Sequence, residues 1–289
     1  MTCEFKPSVS IPIEIYPKPN EFVDEASSIV EDAERRGIIL RVMGGLAIYL
    51  LIRGSEYENL WRSLGRLGER VFTDVDLAAY SRDRNKIINY LTKDRDPIYL
   101  LWQPSLMYYG NQRLIFYGCP EGYTYGGKKV GRIPMVEVFL DALRMNHTIQ
   151  FRGRLELGKV TLTPTDLLLE KLQIVKINEK DIKDAIILFL AFDLSNSDVN
   201  AINSDYIAKI LSDDWGFYYT FTNNLMKIRD FLKQKYSDIL SGQAVNTVID
   251  RIDRLYRIIE DYPKTTKWRM RAKIGTKKKW YDDVEELIR

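Results

Sequence analysis

The apolar positions of the chain follow two different periods, one before residue 160 and another after it. Residues 20–37 place Phe22, Ala26 and Ile29 at helical spacing and end in glycine, which predicts an amphipathic helix. The apolar run IILRVM that follows predicts a short strand, and Gly44-Gly45 then opens the apolar segment LAIYLLIRG. The order expected here is helix, strand, glycine turn and helix.

Strand-like patterns dominate the next hundred residues. VFTDVDLAAY and PMVEVFLD alternate apolar and polar positions and predict strands, while SRDRNKIINYLTK predicts a helix with Ser81 as its N-cap. PIYLLWQPSLMYYGNQRLIFYG predicts strands broken by Pro104 and by a turn at Gly110-Asn111. The glycine-rich stretch CPEGYTYGGKKVGR lacks an apolar period and predicts an exposed hairpin loop.

Helical spacing takes over from Thr163, which precedes a proline as a capping residue should. TPTDLLLEKLQI and EKDIKDAIILFLAF both predict helices. We therefore expect an α+β protein in which residues 1–160 form a mixed α/β unit and residues 161–289 form an α-helical unit.

Composition narrows the class of protein without identifying a partner. The chain has 289 residues, 45% apolar and 29% charged, so it can bury a large core and keep a solvated surface. No apolar window approaches the ~20 residues of a membrane span. The N-terminus lacks the pattern of a secretory signal, and two cysteines without a CxxC pair indicate neither a disulfide framework nor a zinc site. A cytoplasmic location is expected.

The acids of TDVDL are the first candidates for chemistry. Asp74 and Asp76 are two residues apart on a predicted strand, so their side chains would share one face about 7 Å apart. Mg²⁺, or Mn²⁺ in its place, would relieve their repulsion, since it prefers carboxylate oxygens together with phosphates and water. The alternative is an acidic surface strand.

Two further features extend this candidate site. Gly44 and Gly45 at a strand-to-helix turn would let phosphate oxygens approach the backbone, although a tight turn without a ligand is the alternative. MVEVFLD offers a third carboxylate, for which we favour Glu137 over Asp141, and a charge on an edge strand is the alternative for either.

The segments MGG, TDVDL and VEV, in this order, resemble the DNA polymerase β-like nucleotidyltransferases. RVFTDVDL and DLLLEKLQIVKINEKDIKDA resemble more narrowly the abortive-infection toxin type, AbiEii-like. The resemblance spans roughly residues 38–190 and implies a mixed sheet with flanking helices. It also implies that Lys171 contacts the triphosphate, that Asp181 or Asp184 completes the site, and that Thr73 lies at the nucleotide.

The function implied is transfer of NMP from an NTP, ATP among the candidates, to an acceptor hydroxyl. In this scheme Asp74, Asp76 and Glu137 hold the metal, and Gly44-Gly45 seats the phosphates. The resemblance favours an RNA acceptor such as a tRNA 3′ end, a toxin role and an antitoxin protein as partner. The alternatives are transfer to a small molecule such as an aminoglycoside, and a non-catalytic nucleic-acid-binding module.

A basic segment supports the RNA acceptor. Lys264–Trp280 contains eight cations and no acid, with Trp268 and Trp280 between them, which suits a phosphate backbone and base stacking. The alternative is a solvated tail paired with the acidic YDDVEELIR. We expect DDWGFYYTF to pack in a core or groove, and His147 to be structural or on the surface.

Overall fold

The computed structural model describes residues 3–66, 70–110, 112–236 and 239–284, which form a mixed sheet followed by helices. The strands are β1 (Leu40–Val42), β2 (Val75–Ala79), β3 (Leu100–Leu101), β4 (Arg113–Tyr117), β5 (Tyr123–Tyr125), β6 (Lys128–Val130), β7 (Met135–Leu140), β8 (Ala142–Arg144), β9 (Thr148–Gln150), β10 (Asp193–Ser195) and β11 (Ala201–Asn203). The helices are α1 (Pro19–Arg35), α2 (Gly44–Ile52), α3 (Glu56–Ser63), α4 (Arg84–Asn89), α5 (Pro104–Tyr108), α6 (Pro164–Leu172), α7 (Glu179–Ala191), α8 (Ser204–Leu211), α9 (Trp215–Phe231), α10 (Gly242–Asp261) and α11 (Thr266–Ile274). Short 3-10 or π-helical turns occupy Ser8–Ser10, Ser81–Asp83, Tyr90–Asp94, Leu232–Tyr236 and Gly275–Lys277. The predicted α+β class is confirmed.

The central sheet has the order β1-β2-β7-β4-β3. Strands β2 and β7 are parallel, and the other neighbours run antiparallel. β2 and β7 lie in the middle of the sheet, and their residues Val75, Leu77, Val136 and Val138 are fully buried. A polar side chain on either strand therefore has buried apolar residues as its neighbours along the strand.

The amphipathic helix before the sheet is confirmed as α1. Its buried side includes Phe22, Ala26 and Ile29, as the spacing predicts, and the helix packs beside β1. Gly37 follows the helix with φ 70°, a left-handed conformation that favours glycine. The strand, glycine turn and second helix follow in the predicted order.

Two local predictions differ from the structure. The segment with Pro104 forms α5 between β3 and β4, because proline needs no hydrogen bond in the first turn of a helix. Ser81 makes no capping hydrogen bond and instead begins a 3-10 turn, so its assignment as N-cap is wrong. Gly110 has φ 54°, whereas Asn111 lies outside the described residues.

The helical half begins as predicted. Thr163 caps α6 by accepting a hydrogen bond from the Asp166 amide at 3.2 Å, and Pro164 opens the helix. Helices α6 and α7 pack against α2, and buried residues of both halves form one apolar cluster. The division into two units at residue 160 stays a prediction, while this packing brings the helices to the glycine turn.

The cysteines correct one expectation. Cys3 and Cys119 are joined in a disulfide across 116 residues, with their Cα atoms 6.0 Å apart. The expectation of no disulfide is wrong because the pairing depends on the N-terminal segment lying beside the loop after β4, a contact that sequence spacing does not reveal. Across the residues that the structure describes, none of the helices is long and apolar enough to span a membrane.

Candidate functional site

The two acids of TDVDL lie where β2 begins. Asp76 is the second residue of the strand, and Asp74 lies immediately before the strand, so only one of the two acids belongs to β2. Val75 and Leu77 are fully buried, whereas Asp74 and Asp76 are partly exposed. Alternation along the chain thus directs the apolar residues into the core and leaves both aspartates partly exposed, with one oxygen of each buried, where the strand begins.

Glu137 is brought directly beside Asp76. Parallel pairing of β2 with β7 sets Asp76 opposite Glu137. Glu137 is fully buried and forms an ion pair with Arg113, whose guanidinium also lies over the Phe139 ring. The expected third carboxylate therefore reaches the two aspartates, but a cation from β4 already balances its charge.

Asp141 lies at the other end of β7. It has φ 64°, and its carboxylate accepts a hydrogen bond from the Ser81 amide at 2.9 Å. Since Ser81 follows the carboxyl end of β2, Asp141 is separated from Asp76 by the length of the strand. Of the two acids that the sequence left open, the structure brings only Glu137 to the aspartates.

The glycine turn faces Asp76. Gly44 has φ 72°, and a Cβ atom at this position would lie 3.2 Å from Asp76 Oδ2. The Met43 amide donates to the Asp76 carbonyl at 2.9 Å, which fixes the strand against the turn. The Gly44 amide donates to Glu170 Oε2 at 3.1 Å. The glycine turn and Asp76 are therefore close together, and Glu170 on α6 contacts the same turn.

Gly45 makes room for Arg66, a residue that the sequence analysis missed. A Cβ atom on Gly45 would lie 2.5 Å from Arg66 Nη2. The Arg66 guanidinium donates to both carboxylate oxygens of Asp184, at 2.9 and 3.3 Å, and lies over the Trp61 ring. Trp61 Nε1 donates to the same Asp184 carboxylate at 3.0 Å. The Arg66 guanidinium therefore packs directly against the glycine turn.

Lys171 belongs to the same buried group. Its ammonium lies 3.2 Å from Asp181, 3.2 Å from Asp184 and 3.9 Å from Glu170. Burial alone would lower the pKa of Lys171, but Asp184 and Asp181 raise it. Burial would likewise raise the pKa of Asp184, yet Lys171 and Arg66 lower it. Lys171 and Asp184 are therefore both charged, and each compensates the other.

Lys180 is a second lysine near the turn. It is exposed at the start of α7, directly before Asp181. Partial loss of solvent, together with repulsion from Arg66 and Lys171, lowers the pKa of its ammonium, and Asp74 acts in the opposite direction. The first lysine of EKDIKD was the available signal in the sequence.

Thr73, predicted to lie at the nucleotide, contacts the first acid. Its hydroxyl donates to Asp74 Oδ1 at 3.1 Å, and its carbonyl accepts from the Ser8 hydroxyl at 2.7 Å. Both residues before β2 are thereby held by neighbours. Thr73 orients the Asp74 carboxylate in this structure, and its contact with a nucleotide stays a prediction.

A divalent cation fits these residues in part. Asp74 and Asp76 supply the hard, partly exposed carboxylate oxygens that Mg²⁺ prefers. Glu137, fully buried and paired with Arg113, would have to exchange that partner to bind a metal. Within the described ranges, no group of three or more His, Cys, Asp or Glu residues is arranged to hold a metal ion. The three-carboxylate metal site stays a prediction.

The single histidine has a structural environment. His147 is buried, hydrogen-bonds Thr220 through Nε2 at 2.8 Å, and stacks on Phe217 with ring centroids 5.0 Å apart. Burial lowers its pKa to about 4, against the attraction of Asp214 and Asp282. The structural alternative for His147 is the one found, and DDWGFYYTF forms the packed start of α9, as expected.

The basic segment is folded against α9. Trp268 packs edge-to-face on Tyr218, and Trp280 packs edge-to-face on Tyr219 while donating to the Thr220 hydroxyl at 3.1 Å. Both tryptophan rings therefore attach the segment to the helical half. The cations divide into two groups, of which Lys264, Lys267, Arg271 and Lys279 contact carbonyls or carboxylates.

The other cations of this segment are exposed. They are Arg269, Lys273, Lys277 and Lys278. The expected pairing with the acidic terminus occurs at Lys279 and Asp283, 2.5 Å apart, whereas residues 285–289 lie outside the described residues. The segment thus presents positive charge on an exposed surface.

Comparison with known proteins adds little to this geometry. No family model matches the chain, and no curated protein matches it. Among solved structures, the chain is similar to an antigenic nucleotidyltransferase-like protein from Paracoccidioides brasiliensis, with 15% sequence identity and a TM-score of 0.34. The similarity covers 86% of this chain and 95% of that one. A likeness at this TM-score carries no weight for the fold or the function of this chain.

Proposed function

We propose that this protein is a metal-dependent nucleotidyltransferase that transfers NMP from an NTP to an acceptor hydroxyl. One observation carries the proposal: Asp76, with Asp74 just before it, lies against the Gly44 turn and beside Glu137 on the neighbouring parallel strand. This arrangement gathers carboxylates at a backbone turn that only glycine fits closely. Such a site suits a divalent ion and the phosphates of a nucleotide.

Asp74 and Asp76 would hold the ion, and Glu137 remains the proposed third ligand. Bound there, Mg²⁺ or Mn²⁺ would polarise the α-phosphate and neutralise charge on the leaving pyrophosphate. Thr73 keeps the Asp74 carboxylate in place through its hydroxyl. Gly44 lets the backbone turn lie close to Asp76, and the Arg66 guanidinium against Gly45 would supply positive charge near the phosphates.

Two lysines are candidates for contact with the triphosphate. Lys171, which the resemblance assigns to this contact, is enclosed by Asp181, Asp184 and Glu170. Lys180 is exposed, and the charge of Asp74 raises the pKa of its ammonium. We favour Lys180 for the phosphate contact, because its ammonium needs no rearrangement of buried partners, and Lys171 is the alternative. Lys180→Met would then raise the KM for NTP without lowering the melting temperature.

The acceptor is proposed to be an RNA, and a toxin role with an antitoxin partner follows from the resemblance alone. Four exposed cations on and after α11 suit a phosphate backbone. Their replacement by Gln should raise the RNA concentration needed for half-maximal transfer. The control replaces four exposed cations elsewhere, Lys159, Lys209, Lys233 and Arg254. A small-molecule acceptor predicts no difference between the two sets.

The main test measures pyrophosphate release and label transfer from each NTP in the presence of Mg²⁺ and total RNA. Asp74→Asn with Asp76→Asn should lower transfer by about 10³-fold, in line with the loss of a preorganised electrostatic group. Asp24→Asn, the same change on the exposed side of α1, should leave it unchanged. If the folded wild-type protein releases no pyrophosphate with any NTP, the transferase proposal fails and a non-catalytic binding module takes its place.

A further inference from the structure

A polar cavity lies at the opposite end of the sheet from the aspartates. It has a volume of about 410 Å³ and is lined by Ser81, Arg82, Arg84, Asn85, Gln112, Leu140, Asp141 and Arg144. Ala79 pairs with Leu140 at the carboxyl ends of β2 and β7, and the cavity opens just beyond them. At about 3.3 Å per strand residue, it lies roughly 15 Å from Asp76 along the strand. We refer to it as the arginine cavity.

Positive charge dominates the lining of the arginine cavity. Its three guanidiniums face one carboxylate, Asp141, and Asp141 Oδ1 already accepts the hydrogen bond of the Ser81 amide. Arg82 lies over the Tyr80 ring, with its Nε 3.8 Å from Asp83. Asp83 does not line the cavity and also pairs with Lys86 at 3.2 Å, so it offsets only part of the charge of Arg82. The cavity therefore carries a net positive charge.

The arginines retain donors for a ligand. Arg144 uses one Nη1 hydrogen bond, to the Leu140 carbonyl at 3.2 Å. Arg84 is half-buried, and its Nε is buried without a hydrogen-bond partner among the described residues. That Nε is closed to solvent, so a ligand in the cavity would bind the terminal nitrogens of the guanidiniums. The amides of Asn85 and Gln112 add neutral donors to the same wall.

From this we infer that the arginine cavity binds the phosphate group of a small phosphorylated molecule. A guanidinium presents a planar fork that matches phosphate oxygens, and three terminal oxygens can engage several guanidiniums at once. A carboxylate offers only two oxygens. The volume corresponds to a site for a small molecule. The inference does not rest on the transferase proposal, because the two sites share no residue.

The experiment is calorimetric titration of the full-length protein at constant ionic strength. The probes are inorganic phosphate, ribose 5-phosphate as a small phosphomonoester, and a short RNA. We expect both phosphates to bind, with the ester tighter than the inorganic ion. Arg84→Met and Arg144→Met should each weaken this binding at least about tenfold, since a charged hydrogen bond contributes about 1.5–3 kcal/mol.

Controls separate this site from general charge and from the aspartates. Arg254→Met removes an exposed arginine on α10 and should leave phosphate binding unchanged. Arg84→Lys keeps the charge without the fork and should recover only part of the affinity. Asp74→Asn with Asp76→Asn should bind phosphate at this cavity as the wild type does, even if nucleotidyl transfer is never detected. Thermal unfolding of each variant verifies that it is folded.

Two results would overturn the inference. One is the absence of phosphate binding, or binding that the Arg84 and Arg144 variants retain in folded form. The other is RNA binding that is tighter than that of either small phosphate and lost in the same variants, which would assign the cavity to a nucleic-acid backbone.

Discussion

Two groups of charged side chains flank the Gly44-Gly45 turn, and they differ in burial and in balance. On the sheet side, Asp74 and Asp76 are partly exposed and carry the same sign. On the helix side, Lys171, Asp184 and Arg66 are buried and in contact with opposite charges. Aspartates on the two sides of the turn therefore have different physical roles. The aspartates of β2 lie at the partly exposed end of a strand, whereas the buried group holds α6 and α7 against the turn.

The energetics of the two groups should differ accordingly. A buried ion pair costs several kcal/mol of desolvation per ion, and it is tolerated only while the full set of partners is present. Asp74 and Asp76 are partly exposed, so a change at either position alters desolvation less.

The largest expected effect is on stability at Asp184. Asp184→Ala leaves the Lys171 ammonium and the Arg66 guanidinium buried without their shared carboxylate, which should lower the free energy of unfolding by about 3–5 kcal/mol. Asp76→Ala should change it by less than about 1 kcal/mol. Urea unfolding followed by circular dichroism measures both. Equal losses for the two variants would remove the distinction between the groups.

His147 extends the contrast to a buried group that stays neutral. Because its pKa is about 4 in the folded protein and ordinarily 6.5, the unfolded chain binds more protons between these values, and stability falls as pH drops from about 6.5 to 4. The full loss is about 3 kcal/mol, at about 1.4 kcal/mol per pKa unit. Stability at pH 7 is unaffected.

Urea unfolding at several pH values checks the histidine prediction. His147→Gln keeps a donor for Thr220 but cannot titrate, so its stability should vary less between pH 6.5 and 5 than that of the wild type. His147 is the only histidine in the sequence, and carboxylates titrate mainly at lower pH. A variant with an unchanged pH profile would show that His147 is not buried as described.

The smallest effect is expected at the glycine turn. Gly44→Ala places a Cβ atom at φ 72° and 3.2 Å from Asp76 Oδ2, whereas Gly54→Ala meets the same backbone strain with nothing within 4 Å. Strain alone should cost about 1–2 kcal/mol in each variant. Crowding of Asp76 should add to it only in Gly44→Ala and should also lower nucleotidyl transfer. If Gly54→Ala lost as much activity, the turn would not be part of the site.

The sequence by itself determined much of the local structure. Apolar spacing predicted α1, β2, β7 and the start of α6, because burial of one face imposes a period of 3.6 or 2 on the chain. It also predicted the glycine turn after β1 and the strand at which Asp74 and Asp76 lie. Pro104 and Ser81 departed from prediction, since capping and short helices depend on only one or two hydrogen bonds.

Tertiary structure alone decided which charges meet. The parallel register of β2 and β7 placed Glu137 beside Asp76 and sent Asp141 to the other end of the sheet, where it lines the arginine cavity. The pairing of Arg66 with Asp184 and of Cys3 with Cys119 joins residues more than 100 positions apart. Such contacts leave no period in the chain, because they depend on how whole elements pack and not on the spacing of neighbours.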